Sequence, residues 1–277
     1  MDVQFQVEKD LCVGCGECVA DCPFGLIEMK DDVPVLTKEK EASCVQCQHC
    51  LAVCSTGALS ILGKNPADSI PLTGSEVAAP QLATLMKGRR SVRRYKKDRV
   101  SPEEIDFLLD SVGYAPTGVN SRQVLLTVID NPEVMDGLRG KVYAALSEIV
   151  AKNGIPDGMD YLKGYVLDAL ETGRDNLFRG APHLLIASSP KTAPSPEADC
   201  FIALTYFEIL AASMGLGSVW SGLAKWTLTA LTPDILAGLG VPKDHLVGYM
   251  LVFGRPDVVY HRTVQRDSHI NRVQRIS

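Results

Sequence analysis

The sequence has almost no cysteine outside its first fifth, because eight of its nine cysteines lie between residues 12 and 54. It also lacks an excess of basic residues: its formal net charge is -5, whereas a dedicated nucleic-acid-binding domain is usually basic. No segment reaches the roughly twenty apolar residues that cross a bilayer, and the start, MDVQFQVEKD, lacks the basic and apolar regions of a signal peptide. These absences predict a cytoplasmic protein with no nucleic-acid or membrane partner.

The remaining composition is that of an ordinary globular chain. Of its 277 residues, 46% are hydrophobic and 22% are charged, so it can bury a normal core in one large domain or two smaller ones. Residues 63–80, GKNPADSIPLTGSEVAAP, contain three prolines and few large apolar groups, which is typical of a linker. We therefore predict a small domain over residues 1–63, a linker over 64–80 and a larger domain over 81–277.

The cysteines form two runs with one shared spacing, C-x2-C-x2-C-x3-C. The runs superimpose after a shift of 32 residues, which indicates an internal duplication. Gly14 and Gly16 suit the tight loop of the first run, because glycine adopts positive φ without steric cost. The first run holds Cys12, Cys15, Cys18 and Cys22, and the second holds Cys44, Cys47, Cys50 and Cys54.

This spacing is the bacterial iron-sulfur run, in which three thiolates bind one cluster and the fourth cysteine binds the other. Zinc and disulfides are the alternatives, but zinc ribbons use pairs of C-x-x-C and disulfides need an oxidising compartment. Ser55 follows Cys54 where the motif has a proline, such as Pro23 after Cys22, and we expect altered hydrogen bonding around one cluster. We assign one 4Fe-4S cluster to Cys12, Cys15, Cys18 and Cys54, and the other to Cys44, Cys47, Cys50 and Cys22.

Hydrophobic periodicity predicts short elements in the first domain and mixed helices and strands in the second. Ser101, Pro102 and Glu104 form a helix-start signal, and the helix at 196–214 is apolar almost all round, which favours burial or a subunit interface. Cys200 in that helix is interpreted as a small core residue, with a nucleophile as the alternative. Strands are predicted at 3–7, 33–36, 124–129, 183–187, within 215–223 and at 246–253, and helices near 18–22 and 50–54, from 101 onward, and at 133–150, 161–178, 196–214 and 233–239.

The stretch KGRRSVRRYKKDR, residues 87–99, carries eight cationic side chains. Arginines around a serine can bind a phosphate through forked, charge-assisted hydrogen bonds and a hydroxyl. The alternative is a solvated helix end that binds no ligand. We favour the anion site.

Four segments of the second domain resemble one family, the FMN-dependent nitroreductases. Residues 89–95 (RRSVRRY) resemble the phosphate motif of that family, and residues 115–123 (APTGVNSRQ) resemble its second FMN loop. Residues 215–223 (GLGSVWSGL) resemble the segment that runs along the flavin ring, and residues 254–266 (GRPDVVYHRTVQR) resemble the final phosphate segment. The first domain resembles two-cluster ferredoxins. These resemblances imply an α+β fold in which a ferredoxin-like 2[4Fe-4S] domain is followed by a domain with a central, mainly antiparallel sheet flanked by helices. They also imply a homodimer that binds FMN at its subunit interfaces.

The same resemblance implies the contacts of FMN. Ser221 and Gly222 are expected beside the ring, where a backbone amide can hydrogen-bond N5. Val219 and Ser221 stand where many members have proline and glutamate, so the role of that glutamate is absent here, and Arg255 stands where an aromatic residue is common. The phosphate and ribityl chain would be held by Arg89, Arg90, Ser91 and Arg93, with Asn120 at the ribityl chain or ring and Arg262 as a second phosphate cation.

These features predict an iron-sulfur flavoprotein oxidoreductase. The two 4Fe-4S clusters would pass single electrons to FMN, which would reduce a small organic acceptor: a nitroaromatic, a quinone or an activated alkene. No side chain stands out as a catalytic acid or base, and the electron donor is an external ferredoxin or NAD(P)H. The alternative is a non-catalytic redox sensor or electron-carrier module.

Overall fold

A computed structural model describes residues 2–152, 154–156, 160–266 and 273–276. Its contacts divide the chain into a first unit, Met1–Val77 with Val119–Ser121, and a second unit, Ala78–Gly118 with Arg122–Ser277. The residues predicted as a linker include a turn of 3-10 helix at Pro66–Asp68 and the start of a helix at Ala79. None of the described helices combines the length and apolarity needed to cross a membrane.

The first unit is built from short elements around the two cysteine runs. Two antiparallel strand pairs, β1 with β4 and β2 with β3, are joined by one-turn helices. Its apolar core is small and centres on Val3, Leu59 and Ile61, packed with Cys18 and Cys50. The elements are β1 Gln6–Val7, α1 Glu17–Ala20, β2 Ile27–Lys30, β3 Val33–Leu36, α2 Lys38–Glu41, α3 His49–Ala52 and β4 Leu59–Ser60.

The second unit holds a four-stranded antiparallel sheet in the order β5-β6-β8-β7. The predicted α+β fold with a central antiparallel sheet flanked by helices is therefore confirmed. A π-helical turn at Thr227–Leu231 follows α9. The elements are α4 Ala79–Gly88, α5 Pro102–Val112, β5 Leu125–Ile129, α6 Pro132–Ala151, α7 Asp160–Thr172, β6 His183–Pro190, α8 Pro196–Ser213, β7 Gly217–Trp220, α9 Gly222–Trp226, α10 Pro233–Gly238 and β8 His245–Gly254.

Strand β6 lies at the centre of a three-layered core. Its side chains alternate between the two faces of the sheet: Leu184 and Ile186 pack with α6 and α7, whereas Leu185 and Ala187 pack with α5 and α8. Full burial of each large apolar side chain stabilises the fold by about 1.5–3 kcal/mol. This explains why β6 is apolar on both faces.

Helix α5 begins where the sequence predicts. The Ser101 hydroxyl accepts a hydrogen bond from Glu104 N at 3.2 Å, and the Glu104 carboxylate accepts one from Ser101 N at 3.1 Å. This capping box satisfies two amides that a helix start otherwise leaves without acceptors. Pro102 occupies the first helical turn.

Helix α8 is buried against the sheet, and Cys200 is wholly buried within it. A Cβ on Gly248 of β8 would lie only 2.2 Å from Cys200 Cβ. Helix and strand therefore approach closely enough to require glycine in β8 and a small residue in α8. This environment supports the interpretation of Cys200 as a core residue.

Candidate functional site

Two cavities in the first unit are each lined by four cysteine side chains. In each cavity three cysteines come from one run and the fourth from the other, the same grouping that the spacing predicts. The empty space is about 380 Å³ in the first cavity and about 360 Å³ in the second, part of it open to solvent. The first is lined by Cys12, Cys15, Cys18 and Cys54, and the second by Cys22, Cys44, Cys47 and Cys50.

The donor chemistry of these cavities fits iron-sulfur clusters. Four thiols surround one open space, as they must when each thiolate binds a different iron atom of a cluster. A single metal ion needs its ligands closer together. Across the described part of the chain, no three His, Cys, Asp or Glu side chains are placed to hold one ion.

Two cysteines are buried enough to resist deprotonation. Burial raises the pKa of the Cys50 thiol to about 12, and the neighbouring thiols of Cys47 and Cys44 act in the same direction. Burial likewise raises the pKa of Cys18, to which nearby Cys54 also contributes. Because thiolates are the ligands of metals, cluster binding must be coupled to proton release from these groups.

Cys54 differs from these two because hydrogen-bond donors surround its sulfur. Burial raises the pKa of its thiol, but hydrogen bonds from the Thr56 hydroxyl and nearby backbone amides outweigh burial and leave the pKa lower than usual. Thr56 Oγ1 lies 3.7 Å from Cys54 Sγ, and Ser55 and Thr56 both line the first cavity. Ser55 therefore lines this cavity, but the side-chain hydrogen bond to Cys54 comes from Thr56.

The cysteine loops of the two runs share an unusual backbone conformation. Gly14 and Gly16 have φ angles of 68° and 75°, in the left-handed region, as the sequence predicts. The duplication places Gln46 and Gln48 at the equivalent positions, and they have φ angles of 57° and 61°. The second loop therefore adopts with glutamine a conformation that favours glycine.

The predicted phosphate motif and ring segment run side by side in the second unit. Ser91 and Ser218 form a parallel bridge, and Val92 N donates a 2.9 Å hydrogen bond to Ser218 O. Gly217 permits this approach, because a Cβ there would lie 2.5 Å from Val92 Cγ2. Two of the four segments singled out in the sequence are therefore in direct contact.

A buried carboxylate fixes the first arginine of this motif. Glu208 of α8 is only 7% exposed and accepts a 3.0 Å hydrogen bond from Arg89 Nη1. The same oxygen, Oε1, accepts a 3.1 Å hydrogen bond from Ser218 Oγ on β7. Glu208 thus joins α8, β7 and the arginine motif through one charged group.

Two further arginines of the motif, Arg90 and Arg93, bond to backbone carbonyls. Arg90 donates to Arg89 O at 2.7 Å and to Lys87 O at 2.5 Å, and the exposed Arg93 donates to Ser91 O at 3.3 Å. A guanidinium has five N–H donors, so each of these arginines retains donors beyond those bonds. Together with the Ser91 hydroxyl, this donor set fits a phosphate group.

The side-chain hydroxyl of Ser221 forms hydrogen bonds with backbone groups. Its Oγ donates to Leu177 O at 2.7 Å and accepts from Ala224 N at 3.1 Å, which caps α9. Its own amide donates to Met250 O. Gly222, at the first position of α9, has no intrahelical acceptor for its amide, and that amide fits the predicted bond to flavin N5.

The second predicted FMN loop is anchored at the start of α8. Gly118 N donates a 2.9 Å hydrogen bond to the buried Asp199 carboxylate, and a Cβ on Gly118 would lie 2.7 Å from Ser195 Oγ. Asn120 groups with the first unit, where its Nδ2 donates a 2.7 Å hydrogen bond to Val45 O.

The final predicted segment begins beside the arginine motif. Tyr95 forms an antiparallel bridge with Pro256, and Asp257 N donates a 2.9 Å hydrogen bond to Arg94 O. Arg262, five residues further on, is exposed. Within the part of the chain that the structure describes, no hydrogen bond or ion pair joins the Arg262 side chain to the motif.

Two departures from the family pattern have structural roles. Val219 is 8% exposed and belongs to the core that packs with α6 and α7. Arg255 donates to both carboxylate oxygens of Glu104, at 3.0 and 2.7 Å. Arg255 therefore links β8 to the capping box of α5.

Sequence reasoning missed Glu208 and Asp199, the two acids that hold the predicted flavin loops. A signal was present, since both lie in the mainly apolar stretch 196–214, although its third acid, Glu197, is exposed. Acids are almost never fully buried unless they are paired. An acid in a helix that is apolar all round therefore predicts a buried partner, although the sequence does not identify that partner.

Comparison with known proteins gives two family matches. The model of the nitroreductase family matches residues 86–255, and the model of a 4Fe-4S dicluster domain matches residues 11–59. Among curated proteins, an iodotyrosine deiodinase from Thermotoga neapolitana is 27% identical over 138 residues, which are 50% of this chain and 72% of that protein.

Solved structures share the fold of the second unit. A nitroreductase with bound FMN from Bacteroides fragilis is 21% identical, with a TM-score of 0.56, and the match covers 70% of this chain and 99% of that one. A nitroreductase with bound FMN from Desulfitobacterium hafniense is 22% identical, with a TM-score of 0.54, over 70% and 98% of the two chains.

Proposed function

The chain belongs to the nitroreductase family and carries a 4Fe-4S dicluster domain before the family region, and we propose that it is an iron-sulfur flavoprotein oxidoreductase. In this proposal the clusters deliver single electrons to FMN, and a small organic acceptor receives two. The observation that carries the proposal is that one chain combines two four-cysteine cavities with an arginine motif bridged to β7. In this proposal the cavities would hold clusters that transfer one electron at a time, and the arginine motif would bind the phosphate of FMN.

The redox chemistry would belong to the bound cofactors, and the residues of the chain bind and orient. Arg89, fixed by Glu208, would hold the FMN phosphate together with Arg90 and Arg93. The Gly222 amide would donate to N5. Since the Ser221 hydroxyl is committed to capping α9, the acceptor's proton would come from solvent.

The acceptor we propose is a nitroaromatic, a quinone or an activated alkene. The similarity to an iodotyrosine deiodinase adds one more class to be tested, a halogenated tyrosine. All four are planar or conjugated groups that can stack on a flavin ring.

Electron entry can be tested by anaerobic stopped-flow spectroscopy at the flavin band. Reduced ferredoxin is expected to reduce FMN in the native protein and in a Cys200→Ala control, and not after Cys12 and Cys44 are both replaced by alanine. NAD(P)H is the parallel donor. Equal flavin reduction by either donor with and without the two cluster cysteines would show that the clusters are not the entry route.

A non-catalytic electron carrier is the second candidate, favoured by the absent family glutamate at Ser221. The two candidates differ in turnover. An oxidoreductase reduces many equivalents of at least one member of a panel containing a nitroaromatic, a quinone, an activated alkene and 3-iodotyrosine. A protein with reducible FMN that turns over none of them is a carrier.

We also propose that the active unit is a homodimer, because one chain places its predicted flavin loops on opposite sides of α8. Asp199 holds the loop at Gly118, and Glu208 holds the motif at Arg89. Nine residues separate these acids, which is two and a half helical turns, or about 13.5 Å along the axis. A second copy can bring its own loop to the arginine motif of the first.

The surface of α8 supports this arrangement. Ile202, Tyr206 and Ile209 recur at helical spacing on one stripe; Tyr206 is 46% exposed and the isoleucines are half-buried. In a homodimer with twofold symmetry, the same apolar stripe of each chain can pack against its copy, which would bury the partly exposed side chains.

Mixed dimers test whether each flavin site is shared. Arg93→Ala and Asn120→Ala homodimers are both expected to lose FMN during gel filtration. A mixed dimer, isolated through two different tags, is expected to retain about one FMN, because one of its two sites combines the intact halves of both chains. If each site lay within one chain, both sites of the mixed dimer would be damaged and it would retain none.

A further inference from the structure

The two cluster cavities differ in the residues that follow the crossing cysteine. The 32-residue duplication aligns Cys22 with Cys54 and the next two residues, Pro23 and Phe24, with Ser55 and Thr56. Ser55 and Thr56 line the first cavity, whereas Pro23 lines the second. Two hydroxyl-bearing residues therefore line the first cavity, whereas in the second cavity the apolar ring of Pro23 stands in the place of Ser55.

The hydroxyl of Thr56 is placed to act on a cluster ligand. Its Oγ1 lies 3.7 Å from Cys54 Sγ, within the range of a hydrogen bond to sulfur. A thiolate ligand can only accept, so the threonine hydroxyl is the donor when a cluster is bound. Phe24, at the equivalent position beside Cys22, has no donor to offer.

Backbone amides act on both crossing cysteines. The amide of Leu26 lies 3.4 Å from Cys22 Sγ, and the duplication aligns Leu26 with Ala58, whose amide acts on Cys54 together with the amides of Thr56 and Leu59. The Thr56 hydroxyl adds a side-chain donor at Cys54, and replacing Thr56 by valine removes this hydroxyl without removing an amide.

We propose that Thr56 makes the cluster held by Cys12, Cys15, Cys18 and Cys54 the more easily reduced of the two. An added electron increases the negative charge on the cluster and its thiolates, and a hydrogen-bond donor stabilises the charged acceptor more strongly than the less charged one. Hydrogen bonds to the sulfurs are among the factors that set cluster potentials.

This difference in midpoint potential sets the order in which the two clusters are reduced. When the dicluster domain holds one electron, the cluster held by Cys22, Cys44, Cys47 and Cys50 is oxidised and the cluster beside Thr56 is reduced. An electron that enters at the former moves to the latter in one transfer, with no proton or other reactant. The second electron then occupies the remaining cluster.

The experiment is an anaerobic potentiometric titration of the full chain, with the reduced clusters followed by electron paramagnetic resonance. The native protein is expected to show two midpoint potentials. Thr56→Val keeps the shape of the side chain and removes the hydroxyl. It should make reduction of the cluster with the higher midpoint potential about tenfold less favourable, which lowers that potential by about 59 mV for one electron. Thr56→Ser should retain the native value.

Phe24→Thr is the reciprocal variant, and it should raise the lower midpoint while leaving the higher one in place. The proposal is overturned if Thr56→Val leaves both midpoints unchanged or shifts the lower one. Because the potentials are measured without an acceptor, the result does not depend on whether the FMN-based proposal is correct.

Discussion

Replacing Arg89 by methionine is expected to destabilise the second unit by about 3 kcal/mol, since removal of one partner leaves a buried charge uncompensated. Among the residues that the structure describes, the Ser218 hydroxyl would remain as the one hydrogen-bond donor to Glu208. We place the effect at the low end of the range for buried pairs, because the Arg89 side chain is 30% exposed and some of its charge is already solvated.

The double variant Arg89→Met, Glu208→Gln separates stability from cofactor binding. It removes the unpaired charge, so most of the lost stability should return. FMN affinity should remain low, because the guanidinium that would hold the phosphate is still absent. If the double variant is no more stable than Arg89→Met, the Arg89–Glu208 pair does not have the energetic role that its geometry implies.

Urea unfolding of the full chain provides the measurement. The two tryptophans of the sequence, Trp220 and Trp226, both lie in the second unit, so their fluorescence reports on that unit alone. Arg90→Met is the matched control, since Arg90 bonds to the backbone carbonyls of Arg89 and Lys87 and has no carboxylate partner among the described residues. It should cost about 1 kcal/mol or less while still weakening FMN binding.

Replacing Cys54 by alanine is expected to halve the iron content, from about eight to about four atoms per chain. The reason is the crossed grouping: Cys54 lines the cavity of the first run although it belongs to the second. The cluster lost should be the one that Cys12, Cys15 and Cys18 also bind.

Two double variants distinguish crossed from uncrossed ligation. With crossed ligation, Cys18→Ala, Cys54→Ala damages a single cluster and should keep about four iron atoms, whereas Cys50→Ala, Cys54→Ala damages both clusters and should keep almost none. Uncrossed ligation reverses these two results. Iron and acid-labile sulfide analysis of anaerobically purified protein gives the count, and Cys200→Ala is the control expected to keep the native content.

The sequence predicted features whose determinants lie close together in the chain. The cysteine groups follow from spacing, because a loop with two-residue gaps can wrap only three corners of a cluster. Helix α5 follows from Ser101 and Glu104, whose reciprocal hydrogen bonds span three residues. Strand β3 was predicted with its observed bounds, Val33–Leu36.

Predictions that depended on distant neighbours were less accurate. The apolar run VLLTVI at 124–129 is typical of a buried strand, but β5 lies at the edge of the sheet and Leu125 is 36% exposed. An apolar run does not reveal its place in the order of strands. The helix predicted to reach residue 178 ends at Thr172, and Gly173 follows it with a φ of 71°.

In the candidate flavin site, too, the features set by neighbouring residues were easier to predict than those set by distant residues. Its arginine motif is recognisable as a short stretch, but the carboxylate that fixes Arg89 lies 119 residues away in the chain. Ser221 was assigned to the ring, but its hydroxyl caps α9 by accepting from Ala224 N and also donates to Leu177 O, 44 residues away in the chain. Such pairings follow from the packing of whole elements, which local spacing does not determine.

The left-handed glutamines of the second cysteine loop bear on how the clusters are assembled. Gly14 and Gly16 reach their conformation at no steric cost, whereas a residue with a Cβ loses about 1–2 kcal/mol in that region. The second loop therefore has a steric cost at Gln46 and Gln48 that the first loop avoids. Binding of the cluster held by Cys44, Cys47, Cys50 and Cys22 would have to offset that cost.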